Sequence, residues 1–266
     1  MTRRKTRVFA ITNQKGGVGK STTTYHLARA AVLLGLKVLC VDIDPQGNLT
    51  SVLSPDIEEG DEGLADALST RSDATLDDVI ASTIWEGVDL LPTTGEALGV
   101  VRDELVIAGA GRESRLRTAL EDTKANYDLV LIDCAPSLDQ LTINALTAAN
   151  KVLIVTQSKL WSSNGLARLL GTIEEVRVAY NKPLSISGIL INQHEEKTLS
   201  GAHWYAELSE AAEARDLRVL TPPIPKRVAI SDAHESGIGL DEWPSKEGRE
   251  MADLYAAHLS TITEGK

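Results

Sequence analysis

A single α/β domain, built on a mostly parallel twisted sheet with helices on both faces, is the fold class that three observations predict. Short apolar, β-branched runs recur along the chain and alternate with amphipathic stretches of helical length. Most of these runs are apolar throughout rather than alternating, the pattern of strands covered on both faces. No break in composition, repeat or low-complexity segment divides the chain, so residues 1–266 read as one unit with 1–6 as a flexible basic tail. A length of 266 residues is enough to bury a sizeable core.

The strands are justified in chain order. Residues 8–11 are a short apolar run, 37–42 read KVLCVD, and 88–91 form a weaker run. Residues 129–133 read LVLID, 151–156 KVLIVT and 186–192 ISGILIN, with a short last run at 219–220. Between them, residues 22–34, 112–124, 139–149 and 165–180 carry apolar side chains at helical spacing. Residues 54–63 are acidic and turn-rich, and 221–227 (TPPIPKR) hold three prolines, so both read as loops.

Composition narrows the function classes. Apolar residues make up 42% and charged residues 24%, which excludes a disordered chain, a collagen-like repeat and a disulfide scaffold. The net charge of −11 means that any nucleic-acid contact must come from a local basic patch. Aromatics are only 4%, with one Phe, which argues against stacking platforms for single strands. Cys40 and Cys134 have no metal-ligand spacing and read as buried thiols. The five histidines also lack metal spacing, and the four tryptophans are scattered, so all read as packing or surface residues. No run of 18 apolar residues predicts a membrane span, and the first apolar run is too short for a signal segment. A cytoplasmic location is expected.

The most specific feature is Lys15, Gly16, Gly17, Val18, Gly19, Lys20, Ser21 and Thr22, which follows the first strand and opens a helix. Glycines let consecutive backbone N–H groups converge on an anion, and the helix N-terminus adds partial positive charge. Lys20 is placed to reach β- and γ-phosphates, Ser21 to ligate Mg²⁺ and Thr22 to meet the α-phosphate. The chain therefore reads as a P-loop NTPase. The loop departs from G-x-x-x-x-G-K-[ST], because Gln14 stands where the first glycine belongs and Lys15 opens the loop instead.

Carboxylates follow at strand ends. Asp42 and Asp44 close the second strand, on the same side of an extended chain. One can hold Mg²⁺ or its waters, and the other can orient an attacking water. Asp133 ends the fourth strand, the Walker-B pattern that delivers a carboxylate to the metal's water shell. The following Cys134–Ala135–Pro136–Ser137 segment reads as a loop near the γ-phosphate.

Three stretches, NQKGGVGKSTTT at 13–24, VDIDPQGNLT at 41–50 and YDLVLIDCAPSLDQLTINAL at 127–146, together resemble the ParA/MinD family of deviant-Walker-A ATPases. Residues 165–176 and 224–232 lend less specific support. DPQGN favours ParA (Soj-like) partition ATPases over MinD. The resemblance implies an ATP-bound sandwich homodimer in which Lys15 reaches the partner's phosphates. Asp44 would position or activate water, while Ser21, Asp42 and Asp133 support Mg²⁺. It also implies non-specific binding of double-stranded DNA, slow hydrolysis stimulated by a ParB-like centromere-binding partner, and nucleoid association. Family adenine contacts map to Asn192 and Pro225, and the family's DNA-facing cations to Lys197 and Lys226, with Arg227 adjacent. The family's R-x-x-R-L-S-E-A-P becomes KRVAISDAH, so the second basic residue is Ala229 and the proline is His234.

The alternatives differ in class. A MinD-like membrane-cycling ATPase needs a C-terminal amphipathic helix with a basic polar face, and residues 251–266 are Ala-rich and poor in Lys and Arg. An iron–sulfur enzyme on the same scaffold needs paired thiols near a subunit face. A transcription factor needs a helix-turn-helix, for which about a dozen residues before the phosphate loop leave no room.

Overall fold

The computed structural model describes residues 5–159 and 163–264. Residues 1–4 of the predicted tail and Trp161 lie outside the described residues. Of the tail, Thr6 is tied down: its hydroxyl lies 2.9 and 2.8 Å from the Lys124 and Tyr127 carbonyls and can donate to either.

The chain runs β1 (Arg7–Thr12), α1 (Lys20–Leu33), β2 (Val38–Asp42), α2 (Asn48–Leu53), α3 (Leu64–Leu68) and α4 (Leu76–Val79). It continues through β3 (Ala81–Ser82), β4 (Val88–Leu91), α5 (Ala97–Ile107), α6 (Arg115–Thr123), β5 (Leu129–Asp133) and α7 (Gln140–Ala148). Then come β6 (Lys151–Gln157), α8 (Ser163–Ala179), β7 (Ser185–Asn192), α9 (Leu199–Glu213), α10 (Val228–Glu235) and α11 (Lys246–Glu264). The strands form one sheet in the order β3-β4-β2-β5-β1-β6-β7. All neighbouring pairs are parallel except β3 with β4, a two-residue antiparallel edge the sequence is too short to announce.

Strand alternation divides the core in two. Val8 and Ala10 of β1 join Leu39 and Val41 of β2 on one face, covered by α3 to α9. Phe9 and Ile11 join Val38 and Cys40 on the other, covered by α1, α2, α10 and α11. A strand whose two faces are both apolar has no solvent side, which is why the central runs show no polar alternation.

Several boundaries differ from the sequence reading. The 219–220 run makes only an isolated bridge, Val219 to Ile189, because Pro222 and Pro223 lack N–H groups to continue a ladder. The 112–124 stretch begins as a 3₁₀ turn, Arg112–Ser114, before α6. The acidic 54–63 stretch is a loop between α2 and α3. No described helix is long and apolar enough to cross a membrane. Trp85 is buried against Tyr25, with ring centroids 4.5 Å apart, and Trp243 packs partly against the same core.

Candidate functional site

The carboxyl ends of β1, β2, β5, β6 and β7 converge on one edge of the sheet, where open α/β folds place their ligands. There the β1–α1 loop turns through Gly17 and Gly19 at φ +71° and +89°. These left-handed positions suit glycine and turn successive N–H groups toward one point. At Gly19 a side chain is also excluded by space, since a Cβ would collide with the Asn192 amide.

A cleft of about 540 Å³ opens over this loop. Gly16, Gly17, Gly19, Lys20, Ser21 and Thr22 line one wall, and Asp44, Gln46, Asn48, Ser51 and Val52 another. Pro136, Gln193, His234 and Glu235 complete it. The two loop lysines diverge: Lys20 is buried at the cleft, whereas Lys15 is exposed and stands outside the lining. Val18 is fully buried beneath the loop.

Asp133 is fully buried at the end of β5. Its Oδ1 lies 3.4 Å from Thr24 Oγ1, whose one proton has the nearer Lys20 carbonyl at 3.0 Å, and Oδ2 has no hydrogen-bond partner. Burial raises its pKa well above the usual carboxylate range, and Asp42 adds to this, while Ser21 and Lys20 act in the opposite direction. A buried carboxylate oxygen without a donor, beside a hydroxyl and a lysine, fits a cation.

Asp42, expected to support the metal, is engaged by its own turn. Its Oδ2 accepts from both Thr50 N and Thr50 Oγ1 at 2.8 Å, and its Oδ1 from Asp44 N at 3.3 Å. Burial pushes its pKa up to about 6 against these bonds. Both oxygens thus hold the β2–α2 turn. Nor do Asp42 and Asp44 share one strand face, because β2 ends at Asp42. Asp44 sits in the turn: Gln46 N donates to its side chain at 3.0 Å and Gly47 N to its carbonyl at 2.9 Å. This carries a nearly buried Asp44 into the cleft wall.

The positions expected at the adenine are also placed differently. Asn192 is buried, its Nδ2 donating to the Val18 carbonyl at 2.9 Å and its Oδ1 accepting from Gln193 N at 2.9 Å. Pro225 bridges to His194. Neither lines the cleft, whereas Gln193 does. Strand geometry explains this, since side chains alternate and the residue past the strand end turns the other way. His234, the family's proline position, is a cleft residue rather than a surface one, its ring 5.0 Å from that of Tyr25. Burial lowers its pKa to about 4.

The three expected DNA-facing cations lie on neighbouring loops. Lys197 is exposed, and Lys226 pairs with Glu195 at 2.8 Å. Arg227 pairs with Glu247, also at 2.8 Å. The Lys226 backbone N–H donates to the His194 carbonyl, which ties the 194–197 and 224–227 loops together. Cys40 and Cys134 are both fully buried, and burial pushes both thiols up. Among the described residues no group of His, Cys, Asp and Glu side chains forms a ready metal cluster.

Comparison with known proteins follows the same lines. Residues 6–186 match a family model described as an AAA domain. The chain is 39% identical to the sporulation initiation inhibitor protein Soj of Bacillus subtilis, over 87% of this chain and 88% of that protein. It is 38% identical to the chromosome partitioning protein ParA of Caulobacter vibrioides, over 87% and 85%. A Mycobacterium smegmatis structure titled cobyrinic acid a,c-diamide synthase with bound ADP and magnesium superposes with a TM-score of 0.81 at 32% identity, covering 98% of this chain and 97% of that one.

Proposed function

The chain belongs to the ParA/Soj family of partition ATPases, and from that premise we propose a nucleotide-gated cycle on DNA. ATP is the substrate, and Mg²⁺ accompanies it. The convergence of Lys20, Ser21, Thr22 and Asp44 on one cleft, with the buried Asp133 carboxylate acted on by Ser21 and Lys20 behind it, carries this reading.

The residues divide the work. Backbone N–H groups of the glycine turns and the Lys20 ammonium hold the phosphates in a site that is already built. Ser21 and Asp133 would hold Mg²⁺, which when bound neutralises charge on the β- and γ-phosphate oxygens. Asp44, steadied by its turn, orients the attacking water toward the γ-phosphate. Lys15, exposed and outside the lining of its own cleft, would reach the phosphates of a second copy, so ATP would favour a homodimer.

The dimer doubles the cations Lys197, Lys226 and Arg227 and binds double-stranded DNA without sequence preference. A ParB-like centromere-binding partner stimulates slow hydrolysis, and the chain then leaves the nucleoid. Repeated cycles move a chromosome, plasmid or other cargo. The membrane alternative is weakened by α11, which buries Met251, Tyr255, Leu259 and Ile262 in the α1-side core instead of leaving an apolar stripe for lipid.

The experiment is ATP turnover with Mg²⁺ together with light scattering. The unsubstituted chain should hydrolyse ATP slowly, Lys20→Ala should lose nucleotide binding, and Lys15→Ala should keep some binding but lose dimers. Equal turnover in Lys20→Ala would refute the site.

A further inference from the structure

Two side-chain amides outside the cleft hold consecutive carbonyls of the phosphate loop. Gln157, the last residue of β6, donates its Nε2 to the Gly17 carbonyl at 2.9 Å and to Gln193 Oε1 at 2.7 Å. Asn192, the last residue of β7, donates its Nδ2 to the Val18 carbonyl at 2.9 Å. A backbone carbonyl can only accept, so the Gln157 atom facing Gly17 is its nitrogen. That in turn makes the Gln193 atom facing the same nitrogen an oxygen.

In a trans peptide the C=O of one residue and the N–H of the next point in opposite directions. Holding the Gly17 carbonyl therefore fixes the Val18 N–H, and holding the Val18 carbonyl fixes the Gly19 N–H. Gln157 and Asn192 do not line the cleft, while Gly17 and Gly19 do. The two N–H groups are thus directed away from the amides, which themselves stand outside the cleft lining.

We propose that Gln157 and Asn192 are positioning residues, which aim the Val18 and Gly19 N–H groups at the nucleotide's phosphates by anchoring the carbonyls behind them. The Gln157 bond adds a second constraint. It holds the side chain of Gln193, a non-glycine residue at φ +52°, in the cleft wall. One amide so joins the β1–α1 loop to the end of β7. The inference rests on the nucleotide reading above and adds to it the groups that pre-set the anion site.

The test is equilibrium titration of the full chain with Mg-ATP, beside steady-state hydrolysis and melting without nucleotide. Gln157→Glu removes both donors. Gln193 can rotate its amide to donate to the new carboxylate, but the Gly17 carbonyl has no such remedy. The expected result is ATP binding weakened about tenfold or more. KM should rise while kcat at saturation changes little, because Lys20 and Asp44 are untouched. The melting midpoint should stay within about 2 °C. Gln157→Ala should weaken binding less, because water can replace the lost donor, and it decides the matter if the Glu variant fails to fold. Unchanged affinity in these variants, or affinity and melting falling together in both, overturns the proposal. If the unsubstituted chain binds no ATP, the nucleotide reading falls and this one with it.

Discussion

Asp44 is nearly buried, and its side chain accepts a bond from the backbone of its own turn, so its position is set before any water arrives. Asp44→Ala should therefore leave ATP affinity within about threefold but reduce turnover by about 10²-fold or more, measured as phosphate release under saturating ATP. A second residue-scale consequence concerns His26 in α1, whose Nε2 meets the Ile230 carbonyl of α10 at 3.2 Å. Burial lowers its pKa from 6.5 to about 3. A neutral histidine in the fold that can be protonated when unfolded adds stability that is present above pH 6.5. That stability is lost as pH falls from there toward 3. His234, lowered to about 4, and His258, also lowered by burial, act with the same sign. Asp42 and Asp133, raised by burial, act with the opposite sign over the same window, so the histidine share is read by difference: on going from pH 7 to pH 5, the melting temperature of His26→Gln should fall less, or rise more, than that of the unsubstituted chain.

At the scale of elements, the β2–α2 turn is held as a unit. Thr50 Oγ1 donates to Asp42 and accepts from Thr93 N at 2.9 Å, while Thr93 Oγ1 donates to the Asp42 carbonyl at 2.8 Å. Thr50→Val keeps the shape and removes the hydroxyl, leaving the buried Thr93 N–H without its acceptor. It should cost about 1–3 kcal/mol in urea unfolding and lower turnover by loosening Asp44. In the β1–α1 loop, Gly19→Ala must accept both a left-handed φ and a collision with Asn192, and ATP binding should be lost.

Elements also show what sequence reading can reach. The motifs 13–24, 41–50 and 127–146 carry the loop and its carboxylates because their chemistry is local: strand, turn and helix start lie within a dozen or so residues. Gln157 and Gln193 escaped because they act across |i−j| of 140 and 36. A signal existed nonetheless. Asp42, Asp133, Gln157 and Asn192 are each the polar residue that closes an apolar strand at the same sheet edge. Reading every such residue as a member of one site would have found Gln157. The hydrogen bonds that Asp42 and Asn192 already make were hidden for a related reason, since only tertiary packing shows which acceptors and donors a buried side chain meets.

At the scale of the whole molecule, charge bears on the proposed contact with DNA. A net charge of −11 repels the duplex, and Lys226 and Arg227 are paired with Glu195 and Glu247 on the surface. Exposed pairs of this kind contribute about 0–1 kcal/mol, so they would soften the proposed phosphate contacts without cancelling them. Glu195→Gln should free Lys226 and tighten DNA binding by up to about fivefold, and Lys226→Ala should weaken binding across all sequences. The most direct measurement is DNA binding by Asp44→Ala, which is expected to hold ATP with little turnover. Random double-stranded DNA is titrated with ATP, with ADP and without nucleotide, across a salt series. The account predicts binding with ATP alone, weakening steeply as salt rises. Binding that ignores the nucleotide, or no binding at low salt while ATP affinity is intact, would contradict it.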